Sequence, residues 1–170
     1  MHTRVSKYHF DSMNLNRRSS RAISQEHLNQ EELMALFEAA RWAPSSYNEQ
    51  PWRFIYATKD MKEWELFFSL LVEANQLWAK NAPVLVLLVS RNTFQKNEKP
   101  ARCHSFDSGA AVENLALQGE KSGLVVHPMQ GFDERKPGKA EELPKELAEK
   151  EGFTDRKPLA EIVMKGYFKE

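Results

Sequence analysis

Between Arg41 and Phe54 the chain reads Arg-Trp-Ala-Pro-Ser-Ser-Tyr-Asn-Glu-Gln-Pro-Trp-Arg-Phe, a run that leaves the backbone little choice. Pro44 disfavours helical geometry at Ala43, so the amphipathic helix approaching it must stop there. Ser45, Ser46 and Asn48 then offer short donors and acceptors at the helix end. Pro51, flanked by Gln50 and Trp52, directs the chain outward, and Phe54-Ile55-Tyr56-Ala57 has strand composition. A helix, a polar corner and a strand therefore follow in order. Such a corner can grip a ligand; it can equally be a connector with Trp42 and Trp52 packed in the core.

A length of 170 residues suits one domain, and a hydrophobic content of 41% supplies a core. Basic and acidic residues each number 24, so net charge gives no case for nucleic acid or an anionic membrane as partner. Cys103, the single cysteine, excludes an intrachain disulfide and fits a reducing compartment. The N-terminal stretch has no signal-peptide core, and the longest apolar run, Ala82 to Val89, is too short to span a bilayer. A soluble cytoplasmic protein is expected. Phosphate-loop, dinucleotide-binding, zinc-protease and nucleophile-elbow motifs are absent from the sequence.

Met1 to Leu15 carries no periodic pattern and reads as a mobile arm, leaving residues 16–170 as the single domain. Arg17-Arg18-Ser19-Ser20-Arg21 is a compact anion-binding cluster, since guanidinium forks and hydroxyls match phosphate oxygens. A solvated basic loop or a kinase acceptor site has the same composition. Asn29 and Glu32 have capping-box spacing ahead of a helix that runs to Trp42, with Leu33, Leu36, Phe37 and Ala40 on one face. A second helix is expected from Met61 to Trp78, burying Leu66, Leu70, Ala74, Leu77 and Trp78 and carrying Asn75 near its end. Ala82 to Val89 reads as a central strand covered on both faces. Phe106 to Ser122 reads as a small-residue helix capped by Asp107 and ended by Gly123, packed on another helix, a partner subunit's copy being one candidate. Leu124 to His127 reads as a short strand leading to Gln130-Gly131, where a glycine allows close approach to main-chain N–H groups. The tract from Glu134 to Arg156 is strongly polar, and Lys157 to Phe168 restores the alternation of a terminal strand that reaches across to another subunit.

Taken together, these pieces resemble the FMN-dependent nitroreductase family. The matching residues are Arg17-Arg18-Ser19-Ser20-Arg21, Ala43-Pro44-Ser45-Ser46 with Asn48, Gln50-Pro51-Trp52, Asn75 ahead of Ala82-Pro83, Asp107 to Leu117, and Gly131-Phe132-Asp133. The resemblance implies an α+β fold, a central sheet flanked by helices, with a C-terminal arm exchanged in a homodimer. It assigns the FMN phosphate and ribityl chain to Arg17, Ser19 and Arg21, with Arg18 nearby and Arg156 completing the phosphate site. Pro44, Ser45, Ser46 and Asn48 would serve the partner's flavin. Asn75 would hydrogen-bond the pyrimidine edge, and the N–H groups of Gln130 and Gly131 would face N5.

The implied reaction has two halves at one flavin. NADH or NADPH gives hydride to N5, and a nitroaromatic or quinone then takes it; no side chain is assigned as catalytic. The histidines at 2, 9, 27, 104 and 127 read as solvated or structural. A non-enzymatic FMN-holding or sensing protein is the alternative. The family pattern is also abbreviated here. A helix and a strand normally follow Gly-Phe-Asp, whereas this chain passes from Asp133 through Glu134-Arg135 straight to Lys136-Pro137-Gly138.

Overall fold

Local chemistry defines the first long helix before any packing is considered. Helix α2 spans Gln30–Arg41, and Asn29 caps it: the Asn29 side chain accepts from the Glu32 N–H at 2.9 Å, and the Glu32 carboxylate accepts from the Asn29 N–H at 3.0 Å. Both bonds of the capping box are present, as the spacing predicts. Leu33, Leu36, Phe37 and Ala40 form the buried face, and the helix stops at Trp42, before Pro44. The structure, a computed structural model, describes residues 4–132 and 163–165.

Strand β1 (Trp52–Thr58) lies at the centre of a three-stranded sheet of order β2-β1-β3. Strand β2 (Val84–Ser90) pairs with it antiparallel, and β3 (Val163–Lys165) pairs parallel in the same chain, with Phe54 opposite Val163. Side chains alternate across β1, so Trp52, Phe54 and Tyr56 enter one core with α2, while Ile55 and Ala57 enter the other. The first core adds Ala111 and Leu115 of helix α5 (His104–Lys121); the second adds Trp64 and Phe67 of α3 (Trp64–Leu70) and Ala79 of α4 (Glu73–Ala79). Phe37 has its ring centroid 5.4 Å from that of Phe54 and 5.7 Å from that of Tyr56.

Several expectations are corrected. The centre of the sheet is β1, not the apolar run beginning at Ala82; β2 pairs only with β1 among the described residues, and its Val86 and Val89 are exposed, not covered. The helix expected over Met61 to Trp78 is two helices. Leu71 and Val72 are extended between them, Leu71 bridging to Phe132 and the Val72 N–H donating to the Gly131 carbonyl. The break re-sets the phase of α4, leaving Ala74 and Leu77 exposed; Leu66 of α3 is exposed as well, and the buried anchors are Trp64, Phe67, Leu70 and Ala79.

Leu124 to His127 forms no strand; Leu124 and Val126 instead pack sideways onto the first core. Helix α5 begins at His104 with Cys103 as its cap, and Asp107 lies inside it, buried. Its small residues meet α2, Ala111 packing with Ala40 and Ala43, and the Asn114 side chain donating to the Ala39 carbonyl at 3.2 Å. Gly123, with φ of 73°, ends it as expected.

The N-terminal stretch holds a short helix that its sequence does not announce. Helix α1 (Ser12–Asn16) is capped by Asp11 and packs on α5, and the Arg4 guanidinium donates to the Leu15 and Arg17 carbonyls. No helix among the described residues is long and apolar enough to cross a membrane.

The two-layer core makes a direct contrast testable by urea denaturation. Phe37→Ala, at a site with no exposed surface, is expected to cost about 3–5 kcal/mol. Leu77→Ala, at a residue 70% exposed, is expected to stay within about 0.5 kcal/mol of the parent. A large loss at Leu77 would contradict the interrupted helix.

Candidate functional site

The basic cluster follows α1 directly. Arg17 is the residue at which α1 ends, and its guanidinium lies 3.8 Å from the Glu113 carboxylate of α5. The Ser20 N–H donates to the Arg18 carbonyl and the Ile23 N–H to the Arg21 carbonyl, both at 3.1 Å, while the Ser20 hydroxyl accepts from the Ala22 N–H. These bonds curl the segment tightly and leave Arg18, Ser19 and Arg21 exposed. Neither Arg18 nor Arg21 has a carboxylate partner among the described residues.

A histidine ties this cluster to a segment more than a hundred residues later. His127 Nδ1 lies 3.0 Å from the Ser20 carbonyl, and the imidazole packs on the Trp78 indole with ring centroids 4.3 Å apart. One helical turn before Trp78, the Asn75 side chain donates to the Gly131 carbonyl at 3.0 Å. The approach at Gly131 is close: a Cβ there would lie 2.6 Å from Asn75 Nδ2 and 2.8 Å from Val72 Cγ2. The N–H groups of Gln130 and Gly131 have no hydrogen-bond partner among the described residues. The buried Trp78 Nε1 likewise has none. Arg17 to Arg21, Asn75, Gln130 and Gly131 are therefore joined by contacts spanning most of the described chain.

The corner after α2 is anchored elsewhere. Tyr47, Asn48 and Gln50 have φ of 54°, 57° and 49°, the left-handed region that side chains with a Cβ seldom adopt. Hydrogen bonds hold them: the Ser45 hydroxyl accepts from the Gln50 N–H at 2.9 Å, and the Gln50 amide donates to the Asn48 carbonyl at 2.8 Å. The buried Asp107 carboxylate accepts from the Ser46 N–H at 2.9 Å, and the Glu49 carboxylate accepts from the Gln95 N–H at 2.6 Å. Asp107 thus caps the corner, not its own helix. Trp52 is fully buried, whereas Trp42 is 58% exposed, so only one of the two indoles belongs to the core. Trp42 is held from below, its Nε1 donating to Glu38, which also accepts from Arg41.

The scan of family models matches residues 15–67 to the nitroreductase family. A solved structure described as an oxidoreductase containing FMN is 38% identical, with a TM-score of 0.75, over 98% of this chain and 96% of that one. The chain belongs to the nitroreductase family. Its membership carries the oxidoreductase class with it. A Streptomyces coelicolor protein provisionally named an NADH dehydrogenase/NAD(P)H nitroreductase is 25% identical over 135 residues, 68% of either chain. A 15.4 kDa protein of Mycolicibacterium smegmatis is 33% identical over 75 residues, and the match spans 50% of its length.

Within this nitroreductase-family frame, Arg17, Arg18, Ser19, Arg21, Asn75, Gln130 and Gly131 form one group, and Pro44, Ser45, Ser46 and Asn48 form another on the corner. Arg156 lies outside the described residues. His127, Glu113 and Asp107 escaped notice as supports, because each acts through a residue distant in sequence. A cleft lined by Gln25, His27, Leu28, Thr58, Lys59, Asp60 and Pro83 contains none of the expected site residues.

Two measurements check this architecture. Asp107→Ala removes a buried charged acceptor and is expected to destabilise the fold by about 1.5–3 kcal/mol, with Asp107→Asn milder because its amide oxygen can still accept; equal losses in chemical denaturation would refute the capping role. The Arg41 hydrogen bond, and then that of Trp42, hold the Glu38 carboxyl below its ordinary value of 4.5 against the opposing effect of desolvation. A carboxyl lowered on folding contributes stability above its unfolded pKa, which is lost as pH falls through the folded value. Glu38→Gln should therefore flatten the acid limb of a stability–pH profile below about 4.5; an unchanged slope would mean the clamp contributes nothing.

Proposed function

We propose that this chain is an FMN-dependent oxidoreductase that uses NADH or NADPH as reductant and delivers electrons to electron-poor acceptors such as nitroaromatics or quinones. The observation that carries the reading is the convergence of the arginine-serine cluster with Asn75 and Gln130-Gly131 through the Ser20–His127 and Asn75–Gly131 hydrogen bonds. The relative of 38% identity, described as containing FMN, supports it over nearly the whole length of both chains. That extent also supports the abbreviated pattern after Asp133 being compatible with a flavin site.

The residues present fit FMN. The Arg18 and Arg21 guanidinium groups, without carboxylate partners among the described residues, suit a phosphate close to dianionic, and hydroxyl donors beside them complete its oxygens. Arg17, Arg18, Ser19 and Arg21 would hold that end, with Arg156 added from the C-terminal segment. Asn75 keeps an amide carbonyl available after its Nδ2 is committed to Gly131, and the N–H groups of Gln130 and Gly131 remain as donors. Bound FMN supplies the hydride chemistry at its ring nitrogen N5. The protein's part is to bind, orient and electronically bias that ring, and no side chain is assigned proton transfer or nucleophilic attack.

The site is read as shared in a homodimer, with Pro44, Ser45, Ser46 and Asn48 completing the partner's half. The corner is bonded to Asp107 and Gln95, and the cluster to His127 and Glu113, which supports two half-sites on one chain. Exchange of the C-terminal arm would set the partner's copy of β3 where this chain's own lies beside β1.

Mixing the FMN-loaded protein anaerobically with NADH or NADPH is expected to bleach the flavin absorbance, and reoxidation by a quinone should restore it. A flavin that stays oxidised with both nicotinamides would leave only a binding protein. Arg21→Ala is expected to weaken FMN binding by about 1.5–3 kcal/mol, the range for a hydrogen bond to a charged group; an unchanged titration would remove Arg21 from the site.

A further inference from the structure

We propose that His127 is a positioning residue that gives the site its selectivity for a phosphorylated flavin; the inference rests on the FMN reading above. The Ser20 carbonyl can only accept, so at 3.0 Å His127 Nδ1 must carry the proton and donate it. The Ser20–Arg21 peptide is trans, and in a trans peptide the carbonyl and the following N–H point in opposite directions. Fixing the Ser20 carbonyl on the imidazole therefore turns the Arg21 N–H away from His127 and outward. That N–H has no hydrogen-bond partner among the described residues, and it belongs to the residue whose exposed guanidinium lacks a carboxylate among those same residues.

The imidazole is itself held in place. It packs on the Trp78 indole at 4.3 Å, and Trp78 belongs to the helix whose Asn75 is bonded to Gly131. Ser20 is also restrained on its other side, through its hydroxyl and the Ala22 N–H. Residues 124–130 take no part in the sheet; Leu124 and Val126 pack on the first core and Met129 on the second, and the Ser20 bond adds a polar tether to the N-terminal part of the chain. Removing the donor releases the one of these restraints that fixes the Ser20 carbonyl, so a bound phosphate would lose an oriented main-chain N–H that a flavin without phosphate does not use.

The test compares FMN with riboflavin, which has the same ring and no phosphate, in binding titrations of the purified full chain. His127→Phe keeps an aromatic ring against Trp78 but cannot donate; it is expected to lower FMN affinity roughly three- to tenfold and to leave riboflavin affinity unchanged. His127→Asn, whose Nδ2 can take the place of Nδ1, should restore the preference for FMN without restoring the stacking. If His127→Phe does not fold, His127→Leu carries the same expectation. Equal losses for both flavins, or an unaltered FMN preference in the donor-less variants, would overturn the proposal. So would failure of Asn to restore the preference. A wild-type protein that binds neither flavin would instead refute the FMN reading itself.

Discussion

One carbonyl group does much to set the shape of the site. Gly131 O accepts from the Val72 N–H at 3.1 Å and from the Asn75 side chain at 3.0 Å, which occupies both of its lone pairs. A backbone N–H directed to another segment cannot also serve a continuous helix, so the chain extends at Leu71-Val72 and α4 starts afresh. The Val72 carbonyl then accepts from the Asn75 and Gln76 N–H groups, and this new first turn aims the Asn75 side chain at the loop. A Cβ at 131 would force the Asn75 and Val72 side chains to shift. The interruption of a helix and the placement of a candidate ligand-binding loop are thus a single event.

The corner after α2 reaches its geometry by the opposite route, through strain held in place. A left-handed conformation costs a residue with Cβ on the order of 1–2 kcal/mol, and three such residues fall within four positions, Tyr47, Asn48 and Gln50. The opposing interactions surround them: a charged acceptor from Asp107, a second from Glu49 to the 91–101 loop, and the closed pair between Ser45, Asn48 and Gln50. Buried Trp52 and Pro51 fix the exit into β1. Such a corner is pre-organised: its polar groups point where they do before any ligand arrives, which lowers the ordering cost of binding.

Features set by neighbours in sequence were the legible ones. The capping box of α2, the stop before Pro44, the strand after Pro51 and the glycine end of α5 all rest on chemistry within a few residues. Features set by distant partners were not. Nothing between Met61 and Trp78 marks a break at Val72, because the cause is residue 131. The run from Ala82 is as apolar as a central strand, yet β1 takes the centre, sending Trp52, Phe54 and Tyr56 into one core and Ile55 and Ala57 into the other. Asp107 has the composition of a cap, but what it caps lies in the preceding corner. The arginine-serine cluster, Asn75 and Gln130-Gly131 are readable as separate pieces, and the histidine that links them reads as solvated or structural. Its position just before Pro128 offered no signal of the carbonyl it reaches.

Helix α5 relates the two halves of the candidate site. Asp107, which holds the corner, and Glu113, which faces Arg17, project from the same helix. At about 100° and 1.5 Å per residue they are separated by roughly 9 Å along the axis and roughly 120° around it. The corner and the arginine cluster consequently leave α5 in different directions, each rigidly referred to the same core through Ala111 and Leu115. In the shared site proposed above, a ligand gripped by the cluster of one chain would meet the corner of a second copy. A two-fold pairing that brought the two elements together once would, by symmetry, do so twice. The divergence of two acidic anchors on one helix is thus in keeping with the shared site proposed above.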